Sequence, residues 1–150
     1  MKLTDLLDES AVKVDLESED REEVFAEMIE VLVRAGRVQD RDRALQAILA
    51  REAMATTGIG SGVAVPHGKA ATVKKLTAAL GISKNGIDYE AADHAPVHLV
   101  FMVLAEMNNP GPHVQCLGEI ARLLQVPGFY DRLCKARTAA EVLAIIRAEE

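Results

Sequence analysis

A chain of 150 residues, 49% hydrophobic and 27% charged, is long enough to bury one sizeable core and too apolar for a disordered segment. Its net charge of -6 argues against nucleic acid as the main partner, and the densest basic stretch (Arg34, Arg37, Arg41, Arg43) is broken by Asp40 and Asp42. No signal-peptide core opens the chain, and the longest apolar run, Leu99 to Ala105, is far too short to span a bilayer, so a soluble cytoplasmic protein is expected.

Ser18 followed by Glu19 and Asp20 predicts a helix start, because a side-chain acceptor precedes acids at the positive end of the dipole. Val24, Phe25, Met28, Ile29, Leu32 and Val33 then recur at helical spacing, and Gly36 stops the run. A second helix is predicted from Asp40 to Arg51 or Glu52, burying Ala44, Leu45, Ile48 and Leu49. A glycine-rich segment follows, Thr57-Gly58-Ile59-Gly60-Ser61-Gly62, then the apolar run Val63-Ala64-Val65 and Pro66-His67-Gly68. Strands are predicted over Leu76 to Ser83 and Val97 to Ala105, with Asn85-Gly86 as turn chemistry between them. The second strand is apolar on both faces and so should lie centrally, covered by helices on both sides. Asn108 to Pro112 reads as a loop, and His113 as the opening of a helix whose stripe is Leu117, Ile120, Ala121 and Leu124. Pro127-Gly128 breaks that helix, and a last one starts at Thr138, where Thr-Ala-Ala-Glu matches a capping box. Cys116 and Cys134 sit in apolar helical patterns without metal-ligand spacing and read as small buried hydrophobes. This order predicts a single-domain α/β sandwich over residues 1–150, a mixed sheet of about five strands flanked by helices on both faces.

The unusual chemistry lies between residues 57 and 68. Glycines let backbone N–H groups approach an anion, or let another segment pass close by. A histidine between Pro and Gly is well fixed, little shielded, and usable as nucleophile, base or ligand. Taken alone, the spacing favours a plain glycine-rich connection with a structural histidine. It is neither a Walker loop nor a dinucleotide fingerprint, since no Gly-Lys-Ser/Thr follows and no strand precedes.

The segment from Gly58 to Lys69 resembles the active-site signature of the enzyme IIA domains of the bacterial phosphotransferase system, in the fructose/mannitol class with its nitrogen-related branch. The resemblance extends along nearly the whole chain: Arg51 before the glycines, Gly86-Ile87-Asp88-Tyr89, Pro96 to Phe101, and His113-Val-Gln-Cys-Leu117 with the helix after it. It implies that His67 accepts a phosphoryl group through Nε2 from the phosphocarrier HPr and hands it to an enzyme IIB domain. It implies His113 as a second active-site histidine, Arg51 as a nearby cation, and Thr57, Gly58, Gly60 and Gly68 as the phosphate-binding backbone. Neither metal nor cofactor is expected, because the group passes between two histidines. His98 reads as structural and His94 as solvated in a polar loop, while Met54, Ile59 and Val63 are candidates for a partly apolar docking face.

Two roles stay open at this point. One is a IIA relaying phosphate in sugar uptake; the other is a regulatory module of the nitrogen-related branch, whose phosphorylation state controls association with partners. That no IIB or IIC segment follows Glu150 slightly favours the second expectation. The intact Pro66-His67-Gly68, with Arg51 and His113, argues against a degenerate paralogue that only binds.

Overall fold

Two 3-10 turns, Leu3–Asp5 and Glu9–Ala11, open the chain and lead into a two-residue strand β1, Val12–Lys13. This is a computed structural model, and it describes all 150 residues. Helix α1 spans Arg21–Arg34, and its cap is Asp20 rather than Ser18. The Asp20 carboxylate accepts the Glu23 N–H at 2.9 Å, whereas the Ser18 hydroxyl donates to Glu27 at 2.6 Å. Gly36 ends the helix in the left-handed region (φ 74°), which a residue without Cβ adopts at no steric cost. Helix α2, Arg41–Glu52, is capped by Asp40 as expected. Its buried stripe is Ala44, Ile48 and Glu52, while Leu49 is left exposed: the burying face is turned toward the helix end, and a carboxylate takes a place that apolar spacing had assigned to leucine.

The glycine-rich segment is itself a strand, β2, Gly58–Gly60, which hairpins onto β3, Val63–Ala64. After Val65-Pro66 comes β4, His67–Lys69. Strand β5, Thr77–Ile87, runs through Asn85-Gly86 as an irregularity in its pairing instead of turning there, and the connection to β6, Val97–Ala105, comes later. The sheet has six strands in the order β1-β5-β6-β3-β2, with β4 also on β6. Strands β3 and β4 lie end to end along one edge of β6, both parallel to it. Strands β1, β2 and β4, like β3, have two or three residues and fall below the length at which periodicity is legible.

Helix α3 spans Pro110–Leu124 and begins three residues before His113. Proline fits a first helical turn because the missing N–H would have no intrahelical partner there. A short helix α4, Phe129–Lys135, follows Gly128 and was not evident in the sequence. Helix α5, Ala139–Glu149, starts at Thr138 as expected: the Thr138 hydroxyl accepts the Glu141 N–H at 3.1 Å, while the Glu141 carboxylate accepts the N–H of Arg137, one residue before the cap, at 3.2 Å.

Side chains on successive residues of the strands point to opposite faces, giving the sheet two cores. Leu99, Phe101 and Val103 of β6 pack with Ile120 and Leu123 of α3 and with buried residues of α4 and α5. Val100, Met102 and Leu104 pack with Val24, Phe25 and Met28 of α1 and Ile48 of α2. Strand β6 is thus covered on both faces, as its sequence predicted.

Candidate functional site

The same alternation aims the Pro-His-Gly segment. Val63 and Val65 belong to the core on the α3 side and Ala64 to the α1/α2 side. His67 therefore faces α3 while Gly68 faces α2, where a Cβ would meet the Ala47 carbonyl oxygen at 2.8 Å. Strand β2 pairs only with β3, so β4 has no strand on its outer side and His67 stands at an open sheet edge.

His67 is half-buried, and its Nδ1 lies 2.8 Å from the Val65 carbonyl oxygen. A carbonyl can only accept, so Nδ1 carries the proton, and in the neutral ring Nε2 keeps its lone pair. His113, in the first turn of α3, is 6% exposed, and its ring centroid lies 5.5 Å from that of His67 with an interplanar angle of 67°. Its Nε2 is buried with no hydrogen-bond partner in the protein. Burial, then the charges of His67 and Lys69, hold the His113 pKa below its ordinary value, which favours a neutral ring. Pro110 and Pro112 carry no N–H, so the α3 terminus offers fewer backbone donors to an anion than its position alone suggested.

Arg51 comes to the site from the last turn of α2. With His67 it lines a cavity of about 240 Å³ whose other walls include Ile59, Val65, Leu117 and Leu124. Its Nη1 donates to the Ala55 carbonyl at 3.0 Å, and no carboxylate lies within ion-pairing distance of it.

Each of the four residues expected to cradle phosphate also makes contacts within the protein. Thr57 is buried, and both its N–H (2.5 Å) and its hydroxyl (2.6 Å) donate to the Glu52 carboxylate. A Cβ on Gly58 would sit 2.7 Å from Ala91 Cβ, so that glycine serves close packing. Gly60 lies beside the Asp93 carboxylate, which accepts the Ser61 N–H at 2.9 Å. Gly68 allows β4 to approach α2. His98 is held through Nδ1 at 2.8 Å from the Ser83 carbonyl, and His94 is exposed in a loop, both as read from sequence. Sequence reasoning missed Glu52 and Tyr89, which share the Thr57 network. A glutamate at a helix end carries no periodic signal of burial.

A model of the family described as "Phosphoenolpyruvate-dependent sugar phosphotransferase system, EIIA 2" matches residues 5–149. The chain belongs to this EIIA family. Among its relatives, the fructose-specific EIIABC component of the phosphotransferase system in Bacillus subtilis is 39% identical over 150 residues, all of this chain and 24% of that protein. The chain thus spans about a quarter of that relative's length. The fructose-specific EIIA component of Haloferax volcanii is 41% identical over 120 residues, covering 78% of each chain. In fold, the nitrogen regulatory protein IIA-Ntr of Neisseria meningitidis superposes with a TM-score of 0.87 at 30% identity, over 95% of this chain and 97% of that one. The Escherichia coli complex of enzyme IIAMTL with phosphorylated enzyme IIBMTL aligns with a TM-score of 0.80 at 25% identity, over 95% and 97% of the two chains. The EIIA family frame thus covers both cores and the His67 edge. No helix of the chain is long and apolar enough to cross a membrane.

Proposed function

We propose that this EIIA chain is a cytoplasmic phosphocarrier whose His67 Nε2 accepts a phosphoryl group from an HPr-type protein and passes it to an enzyme IIB. One observation carries the reading: Nδ1 of His67 is committed to the Val65 carbonyl, leaving a nucleophilic Nε2 at an open edge beside Arg51 and the unpartnered Nε2 of His113. In the forward step the Nε2 lone pair attacks phosphorus, a P–N bond forms, and the bond to the carrier's histidine breaks, its electron pair returning to that imidazole. The second step is the same exchange with a nucleophile of IIB. Transfer of this kind needs positioning and stabilised equatorial oxygens and little else. His113, kept neutral, supplies an N–H for one oxygen. Arg51 supplies a planar donor fork for the others.

Docking of carriers is transient and needs a partly apolar rim. Met54, Ile59 and Val114 are exposed, at 80%, 59% and 66%; Met54 follows Arg51 by three residues, Ile59 lines the cavity, and Val114 follows His113. Val63, expected on this face, is buried in the core beneath it at 4% exposure and so offers no contact. The reading is tested by incubating the protein with phosphoenolpyruvate, enzyme I and HPr and measuring intact mass. One acid-labile phosphate on the wild type and none on His67→Ala supports it; no phosphate with several HPr sources overturns it.

The likeness to IIA-Ntr over nearly the whole of both chains favours a second reading, in which phosphorylation of the same histidine controls binding to partner proteins. Affinity for a captured partner that changes on phosphorylation, without phosphoryl transfer to it, separates regulation from relay.

A further inference from the structure

Glu52 is a carboxylic side chain in an unfavourable place. It is the last residue of α2, where the helix dipole disfavours negative charge, and it is 8% exposed with no cation in ion-pairing distance. Three donors compensate: the Thr57 N–H at 2.5 Å, the Thr57 hydroxyl at 2.6 Å and the Tyr89 hydroxyl at 2.8 Å. The two hydroxyls also lie 2.6 Å apart, so a single carboxylate ties together the end of α2, the start of the glycine hairpin and the connection between β5 and β6. Tyr89 is fully buried, its ring edge-on to Phe25 at 5.8 Å. Burial pushes its hydroxyl pKa well up, so it stays a donor.

The network continues to the imidazole. The Thr57 carbonyl accepts the Val65 N–H at 2.9 Å, and the Val65 carbonyl accepts the His67 Nδ1–H at 2.8 Å. Both polar groups of the Val65 backbone are therefore used, one to receive its position from Thr57 and the other to impose orientation on His67. We propose that Glu52 is a positioning residue that, through Thr57 and Val65, holds the His67 imidazole with its proton on Nδ1 and Nε2 free. The proposal rests on His67 being the phosphoacceptor, because only then does the tautomer set a rate. A glutamate serving packing alone would leave the tautomer unchanged when altered.

The decisive measurement is imidazole 15N NMR of His67 in the wild type and Glu52→Gln, paired with the rate of phosphoryl uptake from phospho-HPr. In the wild type the Nδ1–H form should dominate. In Glu52→Gln the side-chain amide cannot accept from all three donors; the Nε2–H form should rise, and uptake should slow about fivefold or more, the worth of roughly one hydrogen bond, at unchanged KM for the carrier. If Glu52→Gln fails to fold, Thr57→Val, which loses only the hydroxyl bond, should give a smaller shift in the same direction. An unchanged tautomer in whichever variant folds overturns the proposal, even if stability falls. The NMR readout needs no phosphoryl donor, so a wild type that takes up no phosphate would sink the phosphoacceptor reading and leave the tautomer result standing by itself.

Discussion

Replacing Gly68 by Ala puts one methyl group between the strand that carries His67 and the helix that carries Arg51. The new Cβ would lie 2.8 Å from the Ala47 carbonyl oxygen and 2.9 Å from its carbon, about 0.6 Å inside ordinary contact for the closer atom. Both neighbours are α2 backbone and cannot swing aside. Strand β4 is hydrogen-bonded to β6 alone, so β4 must yield. Overpacking of this kind costs about 2 kcal/mol, within the usual 1–3. For a chain of this length that lowers Tm by roughly 6 °C. Because His67 precedes the altered residue, its ring moves by a comparable fraction of an ångström relative to His113 and Arg51, and uptake of phosphate should fall about tenfold. Thermal unfolding followed by circular dichroism and a timed phosphorylation assay read both effects. A variant that melts within about 1 °C of the wild type and accepts phosphate at the same rate would refute the steric argument.

Three further outcomes follow from the same structure. Gly118 lies inside α3, and a methyl group placed there would have no atom within 4 Å, so Gly118→Ala should stabilise by up to about 1 kcal/mol and raise Tm by roughly 3 °C. His113, whose pKa is depressed by burial and by His67 and Lys69, binds a proton less readily folded than unfolded. As pH falls through the ordinary value of 6.5 the unfolded chain gains protons first, so stability declines on acidification down to the folded pKa and then levels. Urea unfolding between about pH 5 and 7.5 should show that slope reduced in His113→Gln; parallel profiles would contradict it. Burial pushes the Cys116 thiol up to about 11 and raises Cys134 as well, so iodoacetamide at neutral pH should label the native protein far more slowly than the urea-unfolded one.

What the sequence revealed depended on how far each signal extends along the chain. Fourteen residues of α1 and nine of β6 carry enough turns or alternations for their buried faces to be read, and both were found. Strands of two or three residues, β1, β2 and β4, carry no period, and the glycines of β2 looked like loop for that reason. The helix start before His113 was hidden by two prolines that read as loop yet fit a first turn. His67, His113 and Arg51 were named from motif and resemblance, and the fold brings them to one edge. Thr57 and the glycines were named from the same segment, but their jobs are set by what packs against them (Glu52, Ala91, Asp93, Ala47), and those contacts are all non-local except the first. Glu52 was illegible because a buried carboxylate is justified only by its donors, and Tyr89 is 37 residues away.

Phosphorylated protein, labelled with 15N at histidine, should be taken to 31P–15N correlation NMR at mildly alkaline pH, where the phosphoimidazole persists. Phosphorus coupled to Nε2 of His67, with Nδ1 still protonated, is the result this account requires. Phosphorus on Nδ1 of His67, or on His113, would contradict it, because the Val65 carbonyl would then not be what selects the nucleophile.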